Sequence, residues 1–275
     1  MIPYAPKKIF KEVNAPSSSF FKEFIELVIK ITGVLVVCYI ILGLLVDYAI
    51  VPNISPAMEE RMGKLFLGKL QDKAPSPQEQ EIQIILDNLV KNASALPRLN
   101  YDIYIDPSKQ VNAIALPGGH IVLLSALLDE VDSENELAMI LGHELGHFAH
   151  RDHLRGLGRN LVFILLSTIF LGTDHSTGNF LAKSIMGAEM KFSQAQEKAA
   201  DQYGLELLEK TYGHAAGAVD FFDRIAQKEK MGKMFYILAS HPNPAKRSEI
   251  LRAIIVEKKY NIGQKKPFRR SHFAL

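Results

Sequence analysis

His143-Glu144-Leu145-Gly146-His147 is the pattern in this chain with the most specific chemical meaning. Two histidines four residues apart on a helix lie on one face, a turn apart, where both imidazoles reach a single Zn²⁺. The intervening Glu144 then stands beside the metal, placed to take a proton from a water. The apolar run Leu137-Ala138-Met139-Ile140-Leu141 leads into the motif. Ser133 with Glu136 three residues on forms a capping-box start signal. The spacing therefore predicts a helix running from Ser133 to about His153, buried by its apolar residues.

A catalytic zinc takes three protein ligands and leaves one position open. The single cysteine, Cys38, excludes a cysteine-rich metal knuckle and any intrachain disulfide, so the third ligand is a histidine or a carboxylate. Two completions present themselves. His153 stands where an extended HExxHxxGxxH pattern places its third histidine. Here His150 replaces the glycine that lets the chain turn, so the helix is expected to continue and carry His153 away. The other completion lies in Ser193-Gln194-Ala195-Gln196-Glu197-Lys198-Ala199-Ala200-Asp201. Glu197 and Asp201 share one helical face. Glu197 can bind the metal, and Asp201 can accept a hydrogen bond from the outer nitrogen of a ligand histidine and fix its tautomer. Ala195, Ala199 and Ala200 would let this helix pack closely on the first.

The elements that position these residues read as follows. Gln78 to Lys91 is an amphipathic helix with Ile82, Ile85, Leu86 and Leu89 on one face. Tyr101–Ile105, Val111–Leu116 and His120–Leu124 are short strands, and Pro117-Gly118-Gly119 joins the last two as an antiparallel hairpin. Ser193–Lys210 and Ala215–Lys228 read as helices. Asn243, followed by Pro244, marks the N-terminus of another helix. Gly172–Gly187 reads as a loop near the site. The expected fold class is α+β, a mostly helical domain with a small antiparallel sheet.

Apolar residues make up 48% of the 275 residues, enough to prompt a search for a membrane segment. Ile31 to Val46 contains sixteen uncharged residues, and Asp47 is followed by Tyr48-Ala49-Ile50-Val51. About 20 apolar residues span a bilayer, so residues 31–51 read as one transmembrane helix. Lys7, Lys8, Lys11, Lys22 and Lys30 precede it, against Arg61, Lys64 and Lys69 after it. That bias puts the N-terminus in the cytoplasm and the bulk of the chain outside it. Leu161–Leu171 is too short to span and reads as either a core helix or a membrane-surface segment. The resulting layout is a lead over 1–30, a span over 31–51, a connector over 52–77 with a helix from Met58 to Lys73, a metal-site domain over 78–257 and a basic tail over 258–275. A net charge of +2 offers no field to recruit nucleic acid.

HELGH, then Glu197-Lys198-Ala199-Ala200-Asp201, then Ser240-His241-Pro242 with Arg247, resembles the HtpX-like and CAAX-prenyl-protease-like zinc metallopeptidases. Asn112-Ala113-Ile114-Ala115-Leu116-Pro117-Gly118-Gly119-His120-Ile121 resembles the strand-turn-strand before their catalytic helix. The resemblance covers about residues 80–255. It implies a gluzincin domain with one Zn²⁺ on His143, His147 and Glu197, Glu144 as general base, and cleavage of membrane-associated or misfolded proteins in quality control. It also gives His241 a role, either as hydrogen-bond donor to the tetrahedral oxyanion or as occupant of the open zinc position at rest. Arg247 would position the His241 loop, and Asn112–Ala115 would pair with extended substrate backbone. The single N-terminal span is closest to the layout of BepA-like envelope proteases. A non-proteolytic, chaperone-like membrane protein on the same fold is the alternative, and the intact Glu144 argues against it.

Overall fold

The computed structural model describes residues 19–67, 70, 72–171, 192–231 and 241–268. The Gly172–Gly187 loop and Ser240 lie outside them.

Helix α1, Phe20–Leu45, continues through a π turn (Val46–Ile50) and a 3₁₀ turn (Val51–Asn53), making one 34-residue rod that contains an 18-residue window with a mean hydropathy of 2.6. Only 22% of its apolar window is buried. A core helix of that length would be covered by protein, so this one has the length and exposed surface of a membrane anchor. It begins eleven residues before the expected span, because Lys22, Glu23, Glu26 and Lys30 extend the helix without interrupting it.

The connector contains α2, Pro56–Leu67, and α3 covers Pro77–Asn92. Ser76 and Glu79 form a complete capping box at the start of α3, and Ile82, Ile85, Leu86 and Leu89 are its buried stripe. Strands β1 (Asp102–Asp106), β2 (Ala113–Leu116) and β3 (His120–Leu124) make a sheet in the order β1-β3-β2. The β2–β3 hairpin is antiparallel, as its short turn requires, whereas β1 joins the other side of β3 in parallel. After the short helix α4 (Ser125–Asp129) comes α5 (Glu134–Ala149), which packs on β2 and α3.

Helix α5 ends earlier than its sequence suggests. Arg151 adopts φ 57°, and α6 (Asp152–Leu171) starts directly after it. The turn expected only from a glycine is made by an arginine, whose guanidinium donates to the Val51 and Ile54 carbonyls at 2.8 Å. Those bonds hold the residue in the left-handed region. Two helices then complete the domain core: α7 (Gln194–Tyr212) and α8 (Asp220–Lys230). The expected start of α8 at Ala215 is displaced by Gly217, at φ 87° and pressed against Asn135. Helix α9 is Pro244–Glu257; Asn243 precedes it at φ 61° and gives no side-chain cap.

The described part of the basic tail, up to Phe268, is largely exposed but tied to the domain at several points. Glu134 N–H donates to the Lys266 carbonyl, Lys266 N–H donates to Asn135 Oδ1, and Lys265 and Lys258 pair with Asp220 and Glu206. This strap covers the N-terminus of α5 at the end remote from its histidines.

Candidate metal centre

Helices α5 and α7 lie unusually close. A Cβ on Gly142 would stand 3.0 Å from Gly204 Cα, and one on Gly146 would stand 2.8 Å from Ala200 Cα. The approach is made by Gly142 and Gly146 against Ala200 and Gly204, small residues four apart on both helices. Of the alanines expected to do this, only Ala200 is buried; Ala195 is exposed and Ala199 half-buried. The close contact brings Glu197 and Asp201 against the two histidines of α5, and all four residues are buried.

His143 Nδ1 donates to Asp201 Oδ1 at 2.9 Å, and His147 Nδ1 donates to Asp152 Oδ2 at 3.1 Å. With those protons engaged, neutral rings point their Nε2 lone pairs at each other across 3.1 Å. Such an arrangement is repulsive unless a proton or a cation lies between them. Glu197 Oε1 stands 3.5 Å from His147 Nε2, and His241 Nδ1 stands 3.1 Å from His143 Nε2 and 2.9 Å from Glu197 Oε1. One donor atom from each of His143, His147, Glu197 and His241 lies within 4.8 Å of every other. Ligand bonds of about 2.0–2.1 Å in a tetrahedron put donor atoms about 3.4 Å apart. Three imidazoles and a carboxylate at these separations fit one Zn²⁺.

The electrostatics of the pocket agree with that fit. Burial pulls the His147 pKa down, but hydrogen bonds to Asp152 and Glu197 and the Glu144 charge outweigh it and hold the ring up at about 9. The pocket thus stabilises positive charge where the cation would sit. His143 moves the other way, through burial and the nearby Arg247 guanidinium. Burial would raise Glu197, yet His143, His147 and His241 hold it far below the usual carboxylate range. Burial likewise opposes ionisation of Asp201, but Arg247 and His143 bring it down to about 2. Both carboxylates are therefore anionic at neutral pH.

Arg247 is the buried counterion of the site. Its Nε and a terminal nitrogen donate to the two Asp201 oxygens at 2.9 and 2.6 Å, its other terminal nitrogen stands 3.1 Å from Glu197 Oε2, and its guanidinium carbon lies 4.3 Å from the centroid of the Phe222 ring. The planar fork suits this bidentate role. It contacts the Asp201 and Glu197 carboxylates directly. Glu144 is buried beside the cluster, with Oε1 3.9 Å from His241 Nε2.

Asp152, Gln196 and Phe192 complete the surroundings of His147 and were not expected from the sequence. Gln196 Nε2 donates to Asp152 Oδ1 at 2.7 Å, and Phe192 stacks on the His147 ring at 3.8 Å. His153 stays out of the cluster, donating from Nε2 to Glu59 Oε1 at 2.8 Å. His120, His150 and His214 also lie outside it, and His175 is outside the described residues. Strand β2 forms the sheet edge nearest α5, with Asn112, Ala113 and Ala115 buried and Ile114 half-buried.

Two close-packed helices, one carrying HExxH and the other a glutamate, define a gluzincin-type zinc metallopeptidase domain. The sequence profile of peptidase family M48 matches residues 76–255, and the chain belongs to that family. It is 28% identical over 211 residues to the beta-barrel assembly-enhancing protease of Yersinia pestis, covering 71% of this chain and 43% of that protein. It is 30% identical over 186 residues to the metalloprotease LoiP of Escherichia coli (strain K12), covering 65% and 71% respectively. It is also 30% identical over 168 residues to the mitochondrial metalloendopeptidase OMA1 of Arabidopsis thaliana, covering 58% and 32%. The chain thus spans less than half the length of two of these three relatives.

Proposed function

We propose that this protein is a membrane-anchored zinc endopeptidase that cleaves membrane-associated or misfolded proteins. The observation that carries the reading is the convergence of His143, His147 and Glu197 donor atoms beside the buried carboxylate of Glu144. In this reading His143 Nε2, His147 Nε2 and Glu197 hold one Zn²⁺, which when bound polarises the scissile carbonyl and makes a water acidic enough to deprotonate near neutral pH. Glu144 takes the proton from the attacking water and delivers it to the leaving amine. Asp201 and Asp152 fix the ligand tautomers from outside, and Arg247 keeps Asp201 ionised and pairs with Glu197.

His241 has two roles that its geometry supports. From Nε2 it can donate to the oxyanion of the tetrahedral intermediate. From Nδ1, which stands with the three ligand atoms, it can close the site at rest. In this reading, edge strand β2 (Ala113, Ile114 and Ala115) and Asn112 just before it accept extended substrate by strand addition. The lysines before the anchor support an N-terminus in the cytoplasm and a peptidase domain outside it.

The test is Glu144→Gln. Purified full-length protein should retain its zinc and lose cleavage of unfolded casein, while a chelator should abolish cleavage by the parent. Unchanged cleavage by the variant would remove Glu144 from its role. Glu197→Ala should lose zinc, and full occupancy would exclude it as a ligand.

A further inference from the structure

Helix α6 leaves the metal site and runs back along the anchor. Arg151, just before it, bonds to the Val51 carbonyl, and Arg159 pairs with Asp47. Farther along, Val162 packs with Val46, and Leu166 and Leu42 join the same cluster. Residue numbers rise on α6 as they fall on α1, so the two helices are antiparallel neighbours. The contact is one narrow stripe, Leu154, Gly158, Val162 and Leu166, spaced by four. A Cβ on Gly158 would stand 2.5 Å from Val46 Cγ1, the close approach through a small residue that suits helix pairs in a membrane.

Beyond Arg159, the described side chains off that stripe are exposed or only partly covered. Leu161, Phe163 and Leu165 are 43%, 63% and 53% exposed, and they point to more than one side of the helix. Asp47 and Arg159 are opposite each other and act as a level mark. On the far side of that mark α1 is uncharged from Val46 back to Ile31, and α6 is uncharged from Asn160 to Leu171. Ser167, within this run, donates its hydroxyl to the Phe163 carbonyl at 2.8 Å, satisfying it inside the helix. Twelve residues at 1.5 Å each carry α6 about 18 Å beyond the mark, more than half of a hydrocarbon core of about 30 Å.

We propose that α6 enters the bilayer beside α1, so that acyl chains cover its exposed apolar face and two lipid-embedded helices hold the peptidase. The proposal rests on the reading of α1 as a membrane span. If residues 35–47 are in lipid, the helix packed against them shares their depth. The occupant is then set by continuity with the anchor surface: the same uncharged band wraps both helices, with the Asp47–Arg159 pair at its edge. The metal site, at the start of α6, is consequently held at the membrane surface.

The test uses the full-length protein in vesicles with a Cys38→Ser background. A polarity-sensitive dye is placed by Phe163→Cys or Leu165→Cys on α6, by Val36→Cys on α1, and by Ile84→Cys on α3 as an aqueous reference. Zinc content equal to the parent's confirms that each variant forms its site. Loss of fluorescence to doxyl-labelled acyl chains should be as large at 163 and 165 as at 36, and absent at 84. Quenching of 163 and 165 by aqueous iodide, with 36 quenched by lipid, would overturn the proposal and leave the anchor intact. Shielding of 163 and 165 from both quenchers would assign the face to a protein partner and also overturn it. If position 36 escapes lipid quenching, the anchor reading fails and α6 falls with it.

Discussion

Helix α5, with the turn and helix that follow it, is held on two sides by contacts of different kinds. Toward α7 the contact is backbone against backbone through Gly142, Gly146, Ala200 and Gly204, sealed by the buried charges of Glu197, Asp201 and Arg247. On the anchor side, through the Arg151 turn and α6 that follow it, polar clamps (Arg151 on the Val51 and Ile54 carbonyls, His153 on Glu59 of α2, Arg159 on Asp47) stand beside a small apolar cluster of Val46, Val51, Leu154 and Val162. The first contact fixes donor atoms to fractions of an ångström, because close-packed backbones cannot yield. The second fixes where the domain sits relative to its anchor, and each clamp can be released singly. The metal site should therefore survive changes on the anchor side that would destroy it on the α7 side.

The largest effect is expected from Gly146→Leu, which forces a side chain into the Ala200 backbone. Overpacking there should cost at least ~3 kcal/mol and part the helices, read as lost zinc and a lower denaturation midpoint. A variant that keeps its zinc and its midpoint would mean that the two helices slide freely. Arg247→Met comes next. It leaves the Asp201 and Glu197 carboxylates buried without their guanidinium, a loss of about 3–5 kcal/mol. Arg247→Lys should recover little, since an ammonium cannot serve Asp201 through two parallel bonds.

Asp152→Ala should leave the fold intact and weaken zinc binding about 10–100-fold, because His147 loses the partner that sets its tautomer; chelator competition measures it. Asp152 marks where the two sides of α5 meet, and it also marks how far the sequence could be read. The motif on α5, and Glu197 and Asp201 on α7, were legible because helical spacing puts four-apart residues on one face. The small-residue pairs were legible in principle as well, since Gly142 and Gly146 mirror Ala200 and Gly204 in spacing. Asp152 was hidden behind a chain reversal at Arg151, which carries no glycine to announce it. That reversal depends on carbonyls about a hundred residues earlier in the chain, at Val51 and Ile54. Glu59 was hidden for the same reason, as its partner His153 is 94 residues away. The anchor helix itself was legible from composition, whereas its pairing with α6 was not.

On the anchor side the effects shrink. Arg151→Ala removes two part-buried bonds to carbonyls made by one guanidinium nitrogen, together worth about 1.5–3 kcal/mol. Amide exchange in residues 51–55 should speed up while zinc affinity stays at the parent's value. A matching fall in zinc affinity would show that the anchor shapes the site and would erase the contrast between the two contacts.

The mildest probe is acid. Burial would raise the pKa of Glu59, but the hydrogen bond and charge of His153, the Gly118 N–H and Arg151 together hold it below 4.5. A carboxyl held lower in the folded state than in the unfolded chain adds stability above its unfolded value and loses it as pH falls through the folded one. The clamp of α2 on His153 is thus fully present at neutral pH and fades below about 4.5. Glu59→Gln should be less stable than the parent at pH 7, and the gap should narrow steadily below about pH 4.5, as unfolding midpoints of the two proteins measured side by side would record. A gap that stays constant with pH would mean that the clamp acts through shape and not through charge. The anchor side would then resemble the α7 side more closely than its separate polar contacts suggest.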